Sequence, residues 1–247
     1  MGLDLEMKKL LLQHWDGDLT ELAKRSVKCM SAYAESVGAD YKLLRGKVFH
    51  DLSDGSPTQK MIILDEQFDA WDIVVMVDCD MFTINRDILL DIFTEEEGFG
   101  NHSSPLDNKI PSDNTVQANL KSSLLRKDPD SYDPDCSYWG GSCYRFPLWL
   151  RQKLRSVMDK NKVKTYHNSN NVDEGFMFHL NSLAGIKGHY FPSDVRWQFA
   201  NDWSGIEEYA QFIHIRNKRR INGEVVRADK LECLDALVEN NIIKDWS

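Results

Sequence analysis

The chain has 247 residues, 42% of them hydrophobic, and sets 30 basic against 39 acidic side chains for a net charge of −9. That supplies a sizeable core for one large domain or two small ones. The acidic balance argues against a general nucleic-acid binder, which needs a basic surface, and no apolar run approaches the ~18 residues of a membrane span.

Five cysteines, Cys29, Cys79, Cys136, Cys143 and Cys233, show no paired spacing, and their number is odd. Neither a zinc motif nor a disulfide framework is visible, which fits a reducing compartment. The first residues, Met1-Gly2-Leu3-Asp4-Leu5-Glu6, lack the Ser or Thr of a myristoylation signal and any secretory apolar core. The expectation is a soluble, cytoplasmic protein.

Leu10-Leu11-Leu12 predicts a first strand over Lys8–His14. Asp18 is placed as an N-cap, with Glu21 completing a capping-box-like pair. Leu19, Leu22, Ala23, Val27, Met30, Ala34 and Val37 then recur at helical spacing, and Gly38 ends the helix. Ala39–Leu44 reads as a second strand. Ser56-Pro57-Thr58-Gln59 starts another helix, with an apolar stripe of Met61, Leu64, Phe68 and Trp71.

Next comes Ile73-Val74-Val75-Met76-Val77-Asp78-Cys79-Asp80. A short β-branched run bounded by polar residues predicts a strand buried on both faces, the usual state in a parallel sheet. Strand alternation lets Asp78 and Asp80 converge on one point. That point lies at the carboxyl end of the strand, where open α/β sheets bind ligands. Two carboxylates there repel unless a cation lies between them or one is protonated. Oxygen ligands suit Mn²⁺ or Mg²⁺, and such ions commonly carry substrate phosphates. The same carboxylates would also serve as helix caps or as solvated loop residues.

The alternation of strand and helix over 8–80 predicts an α/β fold with a parallel, doubly wound sheet. Beyond it, 84–93 reads as a short strand and helix, and Glu95-Glu96-Glu97 as a solvated face. Residues 98–137, rich in Ser, Asp, Asn, Pro and Gly, predict a mobile segment over the site, with a short helix at Val116–Leu125. Gly140 and Gly141 open a strand reaching Phe146, either to let the backbone approach a ligand or as a bulge. Pro147 opens a helix to Asp159. Asp173 is placed as the N-cap of a helix through Leu180. Trp197, Phe199 and Trp203 cluster further on, to stack on a sugar or to fill the core. Phe212-Ile213-His214-Ile215 predicts a strand, Arg216-Asn217-Lys218-Arg219-Arg220 is a basic run, and Arg227–Ile242 a closing helix.

Asp78/Asp80, the Gly140-Gly141 strand, Asp173-Glu174 and His214 with its basic run stand in a fixed order. In this the sequence resembles the GT-A nucleotide-sugar-dependent glycosyltransferases, and its layout is most similar to family 8, the glycogenin and lipopolysaccharide galactosyltransferase group. It is also similar in size and layout to small soluble sugar transferases of large algal viruses and bacteria. The resemblance implies one GT-A domain over 1–247, with a Rossmann-like, mostly parallel sheet flanked by helices. A nucleotide-binding half would span 1–97 and an acceptor-binding half 138–247, on either side of the 98–137 segment. The implied partners are a nucleotide-diphosphate sugar as donor and a saccharide or glycan as acceptor, with Mn²⁺ or Mg²⁺ as cofactor.

Residue by residue, the resemblance implies that Asp78, Asp80 and His214 ligate the metal and that Lys218 or Arg220 neutralises the diphosphate. It places Lys60, Cys79, Gly140 and Gly141 on the donor, and Gln13, His14 and Trp15 towards the base. If the reaction inverts, Asp173 or Glu174 is the general base for the acceptor hydroxyl. If it retains, these residues orient the donor. Gly140 stands where the family has Asn, Glu174 where it has Gln, and Lys218 follows His214 by four positions instead of six. Three other functions fit parts of the pattern. A nucleotidyltransferase also positions a metal and diphosphate, a haloacid-dehalogenase-like phosphatase also uses an Asp-x-Asp after a strand, and a carbohydrate-binding module would explain the tryptophans.

Overall fold

The structure is a computed structural model. It describes residues 7–50, 57–87, 89–94, 98–99, 142–158, 172–186, 199–201 and 210–247. Of the sequence expectations, the 98–137 segment beyond Phe99, the Val116–Leu125 helix, Gly140, Gly141, Trp197 and Trp203 lie outside these residues.

Strand β1 (Lys9–Trp15), helix α1 (Glu21–Ser36) and strand β2 (Asp40–Arg45) form the first unit, followed by 3-10 helices at Pro57–Leu64 and Glu66–Phe68 and strand β3 (Ile73–Val77). Short strands β4 (Met81–Thr83) and β5 (Gly98–Phe99) precede strand β6 (Cys143–Pro147) and helices α2 (Leu148–Val157) and α3 (Val172–Ala184). The chain closes with β7 (Phe199–Asn201), β8 (Phe212–His214), the strands β9 (Lys218–Ile221) and β10 (Glu224–Arg227), and helix α4 (Lys230–Glu239).

The central sheet has the order β2-β1-β3-β6-β5. β1 runs parallel to both β2 and β3, while β6 is antiparallel to β3 and to β5. Four of the five strands therefore point one way, and β6 alone runs against them. A second sheet, β4-β8-β7, lies beyond the end of β3, and β9 with β10 makes an antiparallel hairpin.

Side-chain alternation explains how one sheet holds two cores. Leu10, Leu12, Val74 and Met76 join Tyr144 and Phe146 on one face, covered by Met61–Leu64, by Leu150 and Leu154 of α2, and by Phe176, Met177 and Leu180 of α3. Leu11, Ile73, Val75 and Val77 join the other, with Cys29, Met30 and Tyr33 of α1, Phe212 and Ile213 of β8, and Cys233 and Leu234 of α4. Every side chain of β3 is buried. The expected α/β class with a mostly parallel, helix-flanked sheet is what the structure shows.

Local differences have physical causes. The N-cap of α1 is Thr20 rather than Asp18; its hydroxyl accepts from the Ala23 N–H at 3.2 Å. Asp18 sits in the approach to the helix, where its carbonyl accepts from the Trp15 indole. The helix expected after Pro57 is a 3-10 helix, and residues 89–94 are irregular. The basic run enters a hairpin whose turn, Asn222-Gly223, has both φ angles positive, the geometry a tight two-residue loop demands. The closing helix therefore starts later, at Lys230, capped by Asp229, whose Oδ1 accepts from the Leu231 N–H at 2.8 Å. Among the described residues, no helix is long and apolar enough to cross a membrane.

Candidate functional site

The site forms where β3 gives out. The Asp78 N–H donates to the Ser142 carbonyl at 3.0 Å, the last rung of the β3–β6 pairing. The Asp78 carbonyl then accepts from the Met81 N–H at 3.2 Å, closing a turn that directs the chain into β4. Gln13, fully buried at the end of β1, secures this turn. Its amide donates to the Asp78 carbonyl at 2.9 Å and to Ser26 Oγ at 3.1 Å, and its oxygen accepts from the Tyr41 hydroxyl at 2.7 Å. Ser26 in turn donates to the Met81 carbonyl at 2.8 Å.

His214 arrives through pairing. β4 and β8 are antiparallel with Met81 opposite His214, and the Ile215 N–H donates to the Asp80 carbonyl at 2.9 Å. This pairing sets a buried imidazole beside the two carboxylates. His214 Nε2 lies 3.1 Å from Asp80 Oδ1 and 3.9 Å from Asp78 Oδ2. One ligand atom from each of Asp78, Asp80 and His214 falls within 4.8 Å of the others.

Two lysines complete the cluster. Lys60, from the 3-10 helix, sits 2.6 Å from Asp78 Oδ1 and 3.3 Å from Asp173 Oδ2. Lys230, the first residue of α4, sits 2.5 Å from Asp80 Oδ2. Burial pushes the Asp78 carboxyl above the usual carboxylate range; Lys60 opposes the rise and the Asp80 charge adds to it. Burial acts the same way on Asp80, but His214 and Lys230 overcome it and hold that carboxyl well below the usual range. Two neighbouring carboxyls are thus pulled in opposite directions, the mark of a crowded acidic pair.

The donor set fits a hard divalent cation. Asp80 Oδ1 is buried and accepts no hydrogen bond from the described residues, although His214 Nε2 is close by. A buried acceptor left in this state is costly unless something else meets it. Two carboxylates and an imidazole are ligands that Mn²⁺ accepts.

No family model and no curated protein sequence matches the chain. Among solved structures it is similar to WbbM, a bifunctional glycosyltransferase, with a TM-score of 0.50 and 11% identity, over 95% of this chain and 50% of that one. The fold is that of the GT-A glycosyltransferases. Further similarities are to a glycosyltransferase involved in glycosylation of the major capsid of PBCV-1 and to Drosophila beta-1,4-galactosyltransferase 7 in complex with manganese, UDP-Gal and xylobiose. The first has a TM-score of 0.49 and 10% identity over 94% of this chain and 99% of that one. The second has 0.43 and 14% over 74% and 65%. The chain spans about half the length of WbbM and about two thirds of the Drosophila chain.

On this GT-A frame the remaining expected residues fall as follows. His14 and Trp15 end β1. His14 Nε2 contacts the Gly46 carbonyl at 2.8 Å, and burial lowers its pKa. Cys79 is buried, donates to the His14 carbonyl at 3.3 Å, and burial pushes its thiol up, so it ties β1 to the turn as a neutral group. Asp173 lies within the first turn of α3 rather than capping it, and its buried carboxylate meets Lys60 and accepts from the Tyr144 hydroxyl at 3.3 Å. Glu174 follows it in α3, Lys218 and Arg220 lie on β9, and the Lys218 side chain is exposed. Nothing in the residue pattern led to Lys230 or to the bracing role of Gln13. A signal for Lys230 lay in Asn222-Gly223: a hairpin there moves the helix start to Asp229, and a lysine at the first helical position opposes the macrodipole, which favours an anion beside it.

Proposed function

We propose that the chain is a metal-dependent glycosyltransferase, moving a sugar from a nucleotide-diphosphate sugar to a hydroxyl of a saccharide or glycan acceptor. The observation that carries this is the convergence of Asp78, Asp80 and His214 within 4.8 Å at the tip of a fully buried strand, on a GT-A fold.

Asp78, Asp80 and His214 would hold Mn²⁺ or Mg²⁺. Bound there, the cation would offset the charge that gathers on the diphosphate as the sugar leaves. The chain supplies the rest. Gln13 and Ser26 fix the peptides around the Asp78–Met81 turn, so the carboxylates need little reorganisation. Lys60 holds Asp78 and Asp173 in register, bridging the strand tip to α3. Because Asp173 is 3% exposed and already engaged, it fits a positioning role. Glu174 is the residue we assign to orient or deprotonate the acceptor hydroxyl.

Titration calorimetry with UDP, GDP and ADP, each with and without Mn²⁺, tests the assignment together with turnover of the matching nucleotide sugars. Binding of one nucleoside diphosphate that depends on Mn²⁺, with sugar transfer from its donor, is the expected result. Hydrolysis of a simple phosphate ester without any nucleotide binding would sink the proposal in favour of a phosphatase.

A further inference from the structure

Each carboxylate of the pair is divided between two neighbours. Asp78 turns Oδ1 to Lys60 at 2.6 Å and Oδ2 towards His214 at 3.9 Å. Asp80 turns Oδ2 to Lys230 at 2.5 Å and Oδ1 towards His214 at 3.1 Å. The inward oxygens face the imidazole; the outward ones are each met by an ammonium group.

Charge decides what such a cluster will accept. Lys60 and Lys230 compensate two of the three carboxylates Asp78, Asp80 and Asp173. A divalent cation arriving alone leaves the cluster with surplus positive charge in a place largely withdrawn from water, where like charges repel strongly. A cation arriving with a diphosphate does not, because the phosphates answer both the ion and the lysines.

The two lysines are not equivalent. Lys60 is 18% exposed and bridges two carboxylates. Lys230 is 42% exposed, on a flexible stem at the start of α4. It can exchange one anionic partner for another without disturbing the core.

We propose that Lys230 guards the cation site. Without donor it holds Asp80 and disfavours the metal. With donor it yields Asp80 and pairs with the diphosphate, so metal and donor bind together rather than metal first. This rests on the sugar-transfer assignment and adds to it a residue and an order of binding.

The experiment compares wild type with Lys230→Met, which keeps the apolar stem, and Lys230→Arg, which keeps the charge. Electron paramagnetic resonance reads Mn²⁺ binding without nucleotide. Calorimetry then reads the tightest-binding of UDP, GDP and ADP at saturating Mn²⁺. Lys230→Met should bind Mn²⁺ alone about tenfold tighter than wild type and the nucleoside diphosphate about tenfold weaker. Lys230→Arg should stay within about threefold of wild type in both. A merely structural lysine would not move the two affinities in opposite directions. If Lys230→Met changes neither affinity, or weakens both, the guarding role is wrong while Mn²⁺-dependent nucleotide binding by wild type still stands. If wild type binds nucleoside diphosphate equally in Mn²⁺ and in EDTA, the metal assignment falls and this inference with it.

Discussion

Asp78 and Asp80 are two residues apart, yet opposite ends of the chain hold them. Asp78 rests on the N-terminal part: Gln13 takes its carbonyl and Lys60 its carboxylate. Asp80 rests on the C-terminal part: Ile215 takes its carbonyl, and His214 and Lys230 flank its carboxylate. The charges differ accordingly. Burial raises the Asp78 carboxyl against the pull of Lys60, whereas His214 and Lys230 overcome burial at Asp80 and hold its carboxyl low. The Gln13 contacts of one wall therefore fix shape, and charge overcomes burial only at the other. A cation at this site should lean on the Asp80 wall.

Asp80→Asn tests that division most severely. It removes the carboxylate that stays ionised and leaves the β3 tip, Gln13 and Lys60 in place. Mn²⁺-dependent nucleoside diphosphate binding and turnover should drop by about a thousandfold, while the circular dichroism spectrum stays that of the wild type. Unchanged donor affinity in calorimetry would take Asp80 out of the site.

The two lysines give the next largest contrast, read in stability. Lys60→Met would strand two carboxylates, one of them 4% exposed, beside each other. Breaking a buried pair from one side costs about 3 kcal/mol. Lys230→Met takes a lysine that is 42% exposed from Asp80, which is 16% exposed but still flanked by His214 at 3.1 Å, so screening of the lysine and the remaining neighbour should hold the loss to about 1 kcal/mol. Urea unfolding of both variants measures the difference. Equal losses would mean that the two walls are not built differently.

This asymmetry also explains what could be read beforehand. The alternation of Leu10 to Leu12 and Ile73 to Val77 between two apolar faces is a local, period-two signal. It was enough to place β1, β3 and the converging carboxylates. His214 was legible only as a histidine in a short apolar strand; its position beside Asp80 depends on pairing with Met81, more than a hundred residues away in sequence. The antiparallel β6 was likewise hidden, because an apolar run does not carry its direction. Lys230 was obscured by an early start to the closing helix. Asn222-Gly223 is a strong hairpin signal, and a hairpin there implies β9 and β10 and moves the helix start to the Asp229 cap.

On the shape side, Gln13→Leu keeps the volume and removes the hydrogen bonds to Asp78, Ser26 and Tyr41. Leaving those groups unsatisfied should cost about 2 kcal/mol in urea unfolding. The affinity for Mn²⁺ with nucleoside diphosphate should fall by less than in Asp80→Asn, because no charge is lost. A loss of binding as large as that of Asp80→Asn would show that the turn geometry, and not the Asp80 charge, controls the cation.

The smallest contrast is between two helix caps of the same kind. Thr20 caps α1, which carries Ser26 on the N-terminal wall; Asp229 caps α4, which carries Lys230 on the C-terminal one. Thr20→Ala and Asp229→Ala should each cost about 1 kcal/mol in thermal unfolding, since each frees one N–H of the first helical turn. Their effects on the site should part company. Ser26 lies more than a turn inside α1 and is held by Gln13 and Met81, so Thr20→Ala should leave Mn²⁺ affinity unchanged. Lys230 is the residue that the Asp229 cap anchors, and fraying there loosens its hold on Asp80. Asp229→Ala should therefore shift Mn²⁺ affinity in the direction of Lys230→Met, by a smaller factor. An unshifted affinity would mean that the lysine keeps its place without the helix start.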